Sequence, residues 1–414
     1  MEDISSFRFK YIYGRPGSGA GFFAAFLILT ALLFSGCFRG ERFHGRISSD
    51  TIWQGRVLLE GDIYVEPGVK LTVLPGTLIR YTGGRIKSEI QHLRSSEGRT
   101  YDLFSESRIE IIVAGDLDIS GTPENPVVLQ APSGDPSRAG GINFIGNQGN
   151  SSIANLMVKG GYIGVRLYDF RSPDITGLTV TDTEAGGVGC WDRASPTIAG
   201  ALIENTKYGI GASGYASPVI KESVVRNNSA AGVFFEGLSA GRISGSEVSG
   251  NNVGIASGNE SSPVIYKSTV AGNGSGVGCW NESSPLINDN YFHSNIVGIL
   301  AVDESSPEVR GNFFSANGAG ASFGERASGS VTENNFTGSG PAIVVTGNSS
   351  PEITANSIFE NEYGTRVEGR SAPVITGNTF RANRFALLIS EYSRPEQSGN
   401  TFEDNRSDTV DSRF

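Results

Sequence analysis

The 414-residue sequence predicts an all-β fold in which short strands coil into one long solenoid, with three strands in each turn. Between residues 172 and 405 a unit of about 22 residues occurs eleven times. Each unit holds three short apolar runs separated by Asn, Asp, Ser and Gly, and no run has the length or period of a helix. A fixed short period predicts stacking, because one such unit cannot bury its own apolar face.

Proline sets the register of the repeat. Prolines recur in steps of 22 or 23 residues, and glycine stands at two of these positions instead. Its members are Pro173, Pro196, Pro218, Gly241, Pro263, Pro285, Pro307, Gly329, Pro351, Pro373 and Pro395. Successive units therefore stack residue upon residue, and each place in the repeat becomes a column along the solenoid.

Three apolar columns run through the stacked repeat, one for each strand of a unit, which we call the first, second and third strand in chain order. The first contains Ile265, Ile287, Val309, Val331, Ile353 and Ile375. The second contains Val270, Phe292, Phe314, Phe336, Ile358, Phe380 and Phe402. The third contains Ile255, Val277, Ile299, Ala321, Ile343, Thr365 and Leu387. This predicts a three-sided tube with a dry interior and parallel strand pairing between turns.

Two asparagine columns lie between the apolar columns. One contains Asn290, Asn312, Asn334, Asn356, Asn378 and Asn400. The other contains Asn273, Asn295, Asn317, Ser339, Asn361, Asn383 and Asn405. Stacked amides can donate to the amide of the next turn and to turn carbonyls, which satisfies polar groups inside the tube. We interpret both columns as scaffolding, and ligand binding by these amides as the alternative.

The repeated pattern SSPxIxxNxFxxNxxGI, from Ser172 to Asn405, resembles the right-handed parallel β-helix repeat family. This family of the pectin lyase fold includes pectate lyases and periplasmic carbohydrate-binding and sugar-hydrolase repeats. The resemblance implies a single-stranded right-handed parallel β-helix, and the length predicts roughly 13 to 15 turns of it. It does not choose a function, because lyases, hydrolases, epimerases, adhesins and inert scaffolds share the fold.

The amino terminus predicts export. Residues 22–34 form an apolar run of 13 that follows three basic residues and is too short to span a bilayer comfortably. The sequence Phe34-Ser35-Gly36-Cys37 resembles a bacterial lipobox, so we expect residues 1–36 to be a signal peptide and Cys37 to be lipidated. The alternative is a signal without lipidation. The resemblance predicts a protein of the bacterial envelope, anchored in a membrane by its lipid.

The rest of the chain divides by the regularity of its repeat. We expect a tether at 37–50, irregular amino-terminal turns at 51–171, the regular repeat at 172–405 and a tail at 406–414. Residues 84–107 interrupt the irregular turns and are predicted to form an inserted loop with a short helix over the open end of the tube. The segments 51–81 and 111–132 resemble the entry turns of secreted β-helix proteins.

The net charge argues against nucleic acid as a partner, and the cysteine spacing excludes a disulfide within the repeat. The chain has 33 basic and 43 acidic residues, which gives a net charge of −10. Binding to nucleic acid needs a basic surface, and this composition does not favour one. Cys190 and Cys279 lie four turns apart, about 19 Å at the usual strand spacing, which is too far for a disulfide. We expect both to be buried thiols that fill the core.

No catalytic constellation stands out. The histidines His44, His92 and His293 lie in unrelated places, and no His, Cys and carboxylate set has metal-ligand spacing. The paired-Asp motifs of polygalacturonases and the Asp-Pro-His-Glu of alginate epimerases are missing. Whether the protein is an enzyme stays open, with a polysaccharide lyase or glycoside hydrolase as the enzymatic alternative.

The outer face of the third strand is the first candidate site. Its outward positions include Trp191, Phe234, Trp280 and Leu300, with glycines between them. An exposed apolar stripe marks a contact surface, and Trp rings beside bare glycine can stack on sugars. The alternative is a sheet covered by a loop or a neighbouring subunit.

The second candidate site is the acidic turn that follows the third strand. Its stacked side chains are Glu260, Asn281, Glu282, Asp303 and Glu304. Oxygen-rich clusters of this kind can take a calcium ion, whereas splayed and solvated side chains are the alternative. Calcium is the only cofactor that the sequence suggests.

These observations favour a non-catalytic, lipid-anchored envelope protein with a rigid surface for a polysaccharide or an envelope protein. The alternatives are a polysaccharide lyase or hydrolase that works in a groove by the third strand, and a structural spacer or adhesin. The sequence does not identify the ligand.

Overall fold

The structure is a computed structural model that describes residues 41–82, 108–147 and 149–413. The predicted signal peptide, Cys37, His92 and the predicted loop 84–107 lie outside the described residues.

The described residues form a parallel β-solenoid of about 16 turns, somewhat more than the 13 to 15 that the sequence predicted. One sheet of 15 strands contains the first strands of the turns. A second sheet of 30 strands contains the second and third strands. The described helical structure is one short 3-10 helix, Pro136–Arg138. No helix in the described ranges is both long and apolar enough to cross a membrane.

The first strands stack in sequence order, each paired in parallel with its copies in the neighbouring turns. They are Thr51–Trp53, Lys70–Val73, Asp116–Ser120, Ser152–Ala154, Asp174–Thr176, Thr197–Ala199, Val219–Lys221, Arg242–Ser244, Val264–Tyr266, Leu286–Asn288, Glu308–Arg310, Ser330–Thr332, Glu352–Thr354, Val374–Thr376 and Glu396–Ser398. Most have three residues because a turn follows at once.

The second strands carry the aromatic column. They are Leu78–Tyr81, Val127–Gln130, Leu156–Lys159, Thr179–Thr181, Leu202–Glu204, Val224–Arg226, Glu247–Ser249, Thr269–Ala271, Tyr291–His293, Phe313–Ser315, Asn335–Thr337, Ser357–Phe359, Thr379–Arg381 and Thr401–Glu403. Two longer strands, Glu41–Ile47 and Arg56–Val65, continue from the second into the third position.

The third strands are the longest of the regular turns, usually with five residues. They are Ile109–Val113, Ala139–Phe144, Ile163–Leu167, Gly186–Cys190, Tyr208–Ala212, Ala231–Phe235, Val253–Ser257, Ser275–Cys279, Val297–Ala301, Ala319–Phe323, Pro341–Val345, Tyr363–Val367, Phe385–Glu391 and Ser407–Arg413. Their greater length gives this side of the solenoid the widest outer face.

The three predicted apolar columns form the core. Ile287, Phe292 and Ile299, one from each strand of a single turn, are all 0% exposed. Neighbouring rings of the second column stack nearly face to face, with centroids 4.8 Å apart for Phe292 and Phe314 and 4.4 Å apart for Phe314 and Phe336. Alternation along each strand turns one residue inward and the next outward, which produces this dry interior.

The asparagine columns are hydrogen-bonded ladders, as predicted. The side-chain amide of Asn312 donates to Asn334 Oδ1 at 3.0 Å and to the carbonyl of Ile287 at 2.8 Å. Its backbone N–H donates to the same Oδ1 at 2.8 Å. The second ladder repeats this arrangement, for example from Asn273 to Asn295. These amides satisfy the buried polar groups of two corners of the tube, which supports the scaffolding interpretation.

The solenoid extends beyond the boundaries that the sequence predicted. Strand Glu41–Ile47 lies in the segment expected to be a tether, and it pairs with Arg56–Val65. Strand Ser407–Arg413 lies in the expected tail and pairs with Phe385–Glu391. The observed ends differ from the predicted tether and tail because neither strand carries the 22-residue pattern. Ile47 of the first strand is buried in the core, whereas the second strand is mostly exposed.

We predict that Phe336→Ala lowers the free energy of unfolding by about 3–5 kcal/mol. Phe336 is fully buried, so its truncation leaves a cavity in the core. Phe313→Ala is the matched control, since Phe313 lies on the outer side of the same column of strands and is 40% exposed. Chemical denaturation measures both. Equal losses of stability in the two variants would show that the aromatic column is not the core.

Candidate functional site

The outer face of the third strands holds a column of small residues and rings. Register pairs Gly189 with Gly211, Gly211 with Phe234, and Phe234 with Ala256. The column continues through Gly278 to Leu300. Because neighbouring members are one strand spacing apart, about 4.8 Å, a bulky side chain in one turn can cover a small residue in the next.

Glycine in this column provides the surface on which the aromatic rings lie. A Cβ added at Gly278 would collide with the ring of Trp280, and one at Gly189 would collide with Trp191. At Gly211 the obstacle would be the ring of Phe234 from the following turn. The far edge of each ring therefore occupies the space that a side chain at the glycine would need, which explains why tryptophan and glycine occur together in the sequence.

A groove of about 370 Å³ opens between Phe234 and Trp280. Tyr208 contributes to the same wall as Phe234, with ring centroids 5.0 Å apart and an angle of 62° between their planes. Ala256 and Gly258 form the low part of the lining, and the exposed Glu236 adds a carboxylate. The buried residues Ala231 and Phe235 complete the lining. The groove thus has three outward aromatic rings, a small-residue floor and one acidic group.

The structure brings together two of the four apolar residues that the sequence proposed. Phe234 and Trp280 both line the groove. Trp191 lies further toward the amino terminus and stacks on Tyr168, with centroids 5.1 Å apart and planes 15° apart. Leu300 is half-buried on the same face, one turn beyond Gly278, and is not part of the groove lining.

Tyr208 and Glu236 belong to the groove but were missed at the level of sequence. Tyr208 is the first residue of its third strand, a place that holds Gly, Ala, Val or Ser in the neighbouring turns. Glu236 follows an inward phenylalanine, in the place that Trp191 and Trp280 hold in their own turns. That shared place after the strand was the signal that could have identified Glu236.

Lys207 places a basic group beside one aromatic ring of the groove. Its ammonium lies 5.3 Å from the centre of the Tyr208 ring, close enough for a cation–π interaction. Lys207 and Glu236 are both exposed. One ring of the groove therefore already contacts a cation that belongs to the protein.

The acidic turn beside Trp280 does not assemble a metal site in the structure. Among the described residues, no three or more Asp, Glu, His or Cys side chains converge where they could hold a metal ion. Asp303 Oδ2 accepts the backbone N–H of Asn281 at 3.0 Å, and Asn281 donates its side-chain amide to Asn259 at 2.9 Å. Glu304 pairs with Arg326. The Asp303 and Glu304 carboxylates therefore already have partners within the protein, and a calcium ion at this turn stays a prediction.

The two predicted core cysteines are free and buried. They are four turns apart, and burial raises the pKa of both the Cys190 and the Cys279 thiol. A thiol kept protonated in an apolar interior is a poor nucleophile. Both residues act as small members of an inward column that also contains Ala212, Phe235 and Ala301.

A buried polar cluster lies on the outer side of the third strands in the irregular turns. Arg166 Nη2 donates to Glu110 Oε1 at 2.8 Å, and Asn143 Nδ2 donates to Glu110 Oε2 at 3.1 Å. The backbone N–H of Glu110 donates to Asp62 Oδ1 at 2.9 Å. All four residues are at most 5% exposed. Burial raises the pKa of Glu110 to about 7, although the neighbouring Arg166 lowers it.

No sequence pattern predicts this cluster. Glu110 and Arg166 are 56 residues apart, and the region between them has no fixed period that would place them side by side. Glu110 and Arg166 are buried and do not line the groove, which is open to solvent.

Comparison with known proteins supports the fold. A family model described as the right handed beta helix region matches residues 186–336 and 275–412. Together the two matches extend over more than half of the 414 residues. No curated protein matches the sequence.

Several solved structures are similar in fold. A mutant of the periplasmic alginate epimerase AlgG is 11% identical, with a TM-score of 0.39 over 86% of this chain and 79% of that chain. An alginate lyase from Paenibacillus sp. str. FPU-7 is 13% identical, with a TM-score of 0.32 over 81% of this chain and 93% of that chain. The surface protein and adhesin PfbA of Streptococcus pneumoniae is 12% identical, with a TM-score of 0.32 over 89% of this chain and 90% of that chain. These values concern the fold alone.

We predict a pH dependence of stability that comes from Glu110. Its pKa is raised from 4.5 in the unfolded chain to about 7 in the folded protein, so the folded state binds the proton more tightly. The stability that this group contributes is therefore greatest below pH 4.5 and is lost as the pH rises through about 7. Thermal midpoints at pH 5 and pH 8 should differ less in Glu110→Gln than in the wild type.

The matched control for this experiment is Glu308→Gln, which alters an exposed glutamate on a first strand. It should keep the pH dependence of the wild type. If Glu110→Gln and Glu308→Gln have the same pH dependence, the buried cluster does not titrate in this range.

Proposed function

This chain belongs to the right-handed β-helix family, and from that premise we propose that it is a non-catalytic binding protein of the cell envelope. Its ligand is a glycan or another envelope component, held in the groove between Phe234 and Trp280. The main observation behind the proposal is that three outward aromatic rings line an open groove on the outer face of the third strands.

The groove has the composition of a ligand site. Small-molecule sites are concave and mostly apolar, with a few polar groups that fix orientation. Tyr208, Phe234 and Trp280 supply flat apolar surface on which the faces of sugar rings can pack, and Glu236 can accept hydrogen bonds from hydroxyl groups. Rings left half-exposed contribute less to folding than buried ones, so their placement here favours a role in binding.

The scaffold beneath the groove is rigid. Its strands Tyr208–Ala212, Ala231–Phe235, Val253–Ser257 and Ser275–Cys279 are paired with one another in unbroken parallel register. The rings of Phe234 and Trp280 also lie against glycine backbone, so they have little room to rotate inward. A preorganised surface of this kind loses little conformational entropy when it binds a ligand.

The titratable groups of the groove favour binding over hydrolysis. Glycoside hydrolases usually need two carboxyl groups on either side of the scissile bond, whereas Glu236 is the one carboxylate among the described residues of the lining. A polysaccharide lyase or hydrolase is the alternative function. Incubation of the protein with the glycan that it binds separates the two, because an enzyme would release shorter products.

We also propose that the protein is exported and anchored through a lipid on Cys37, as the lipobox-like sequence predicts. Mass spectrometry of the native protein should find an amino-terminal cysteine that carries a diacylglyceryl group. A mature amino terminus elsewhere, or an unmodified Cys37, would contradict the anchor but not the binding function.

Binding is tested with a glycan array and two matched variants. Trp280→Ala should weaken binding of the selected glycan at least about tenfold, because it removes one wall of the groove. Trp191→Ala is the control, since this ring lies outside the groove and packs on Tyr168. Calorimetry measures both affinities, and circular dichroism checks that both variants keep their β structure.

Trp191 and Trp280 lie on the same face of the solenoid four turns apart, and the two single variants also decide whether they act together. Equal losses of affinity would mean that one extended ligand contacts both rings over four turns. Binding that is unchanged in Trp280→Ala would mean that the groove is not the site.

A further inference from the structure

We propose that the group held in the groove is a quaternary ammonium, a positively charged nitrogen that carries methyl groups and no N–H. This inference rests on the proposed function and specifies the chemistry of the ligand. It comes from the combination, among the side chains of the lining, of three outward aromatic rings with a single carboxylate.

The rings enclose the groove from two sides. Tyr208 and Phe234 meet edge to face at 62° and form one corner, while Trp280 lies on the other side of Ala256, two turns from Phe234. Ala256 and Gly258 leave the space between them open. The volume of about 370 Å³ is near the lower end of the range for small-molecule sites, which suits one compact group.

The chemistry of the walls distinguishes between classes of ligand. The faces of aromatic rings carry negative electrostatic potential and attract cations without hydrogen bonds. A primary ammonium would gain few hydrogen bonds from the side chains of the lining, which offer only the Glu236 carboxylate and the Tyr208 hydroxyl as acceptors. A methylated nitrogen needs no acceptor, and its methyl groups can pack against all three rings.

The surrounding charges also favour a cation. Glu236 lines the groove, and the exposed Glu260 and Glu282 follow two residues after the lining residues Gly258 and Trp280. Lys207 is the opposing charge, since its ammonium lies near the Tyr208 ring. Three carboxylates and one ammonium leave this edge of the solenoid negative.

A neighbouring corner of the solenoid already contains a cation between aromatic rings. The guanidinium of Arg193 lies 5.4 Å from the centre of the Phe170 ring and 5.6 Å from that of Tyr215. There the protein supplies the cation itself. In the groove the rings of Phe234 and Trp280 have no cation–π partner among the described residues, so a ligand can supply the charge.

The test compares choline with its uncharged isostere 3,3-dimethylbutan-1-ol, in which carbon replaces the nitrogen. Titration of the full chain, followed by calorimetry or ligand-observed NMR, should show that choline binds at least about tenfold more tightly, since a partly desolvated cation–π site can discriminate by that factor. Trp280→Ala should weaken both ligands. Glu236→Gln should lower the affinity for choline several-fold and leave the affinity for the isostere unchanged.

Lys207→Met provides a test with the opposite sign. This variant removes the protein's own cation beside Tyr208, so choline should bind more tightly than to the wild type. Glu236 and Lys207 are exposed, so neither variant threatens the fold and both remain informative if Trp280→Ala is unstable.

Equal affinity for choline and the isostere would overturn the proposal, because the groove would then be apolar without selecting charge. If choline does not bind but a glycan from the array binds and depends on Trp280, the ammonium proposal fails and the proposed function stands. If neither binds, both fail.

Discussion

The parallel register between successive turns is the constraint on which the whole structure depends. Because each regular turn has 22 or 23 residues, every residue pairs with its counterpart in the next turn, and the same chemistry repeats in columns. Apolar columns fill the interior, and the asparagine ladders satisfy the polar groups at two corners. Asn312, for example, donates to Asn334 of the next turn and to the Ile287 carbonyl of the preceding turn, and it accepts from Asn290 of the preceding turn. The ladders thereby hold the turns at a constant length.

The same register places the candidate site. Residues that are 22 or 23 apart in sequence become neighbours in space, so a glycine in one turn can be covered by an aromatic ring from its own turn or the next. The groove exists where this pattern changes. Phe234 and Trp280 carry rings, whereas Ala256 and Gly258 between them do not, and the difference in side-chain size over two turns leaves the space open. A few outward side chains therefore form a groove on a scaffold of similar turns.

The sequence predicts the columns well, because burial and periodicity act on every turn in the same way. The inward positions of Phe292, Asn312 and Cys279 follow from the repeat alone. The site is less predictable, because it depends on which way individual rings lie. Trp191 and Trp280 have nearly identical local sequences, yet Trp191 packs on Tyr168 and only Trp280 lines the groove. Glu110 and Arg166 meet across irregular turns with no fixed period, so their contact has no sequence signal.

The central claim is that a rigid solenoid carries one localised binding site, and hydrogen–deuterium exchange with and without the bound ligand tests it most directly. The claim predicts slow exchange in the paired strands throughout the regular turns. The ligand should add protection mainly within residues 208–212, 231–236, 253–258 and 275–280, which contain the groove lining. Protection spread evenly along the solenoid, or concentrated around Glu110 and Arg166, would contradict the assignment of the groove as the site.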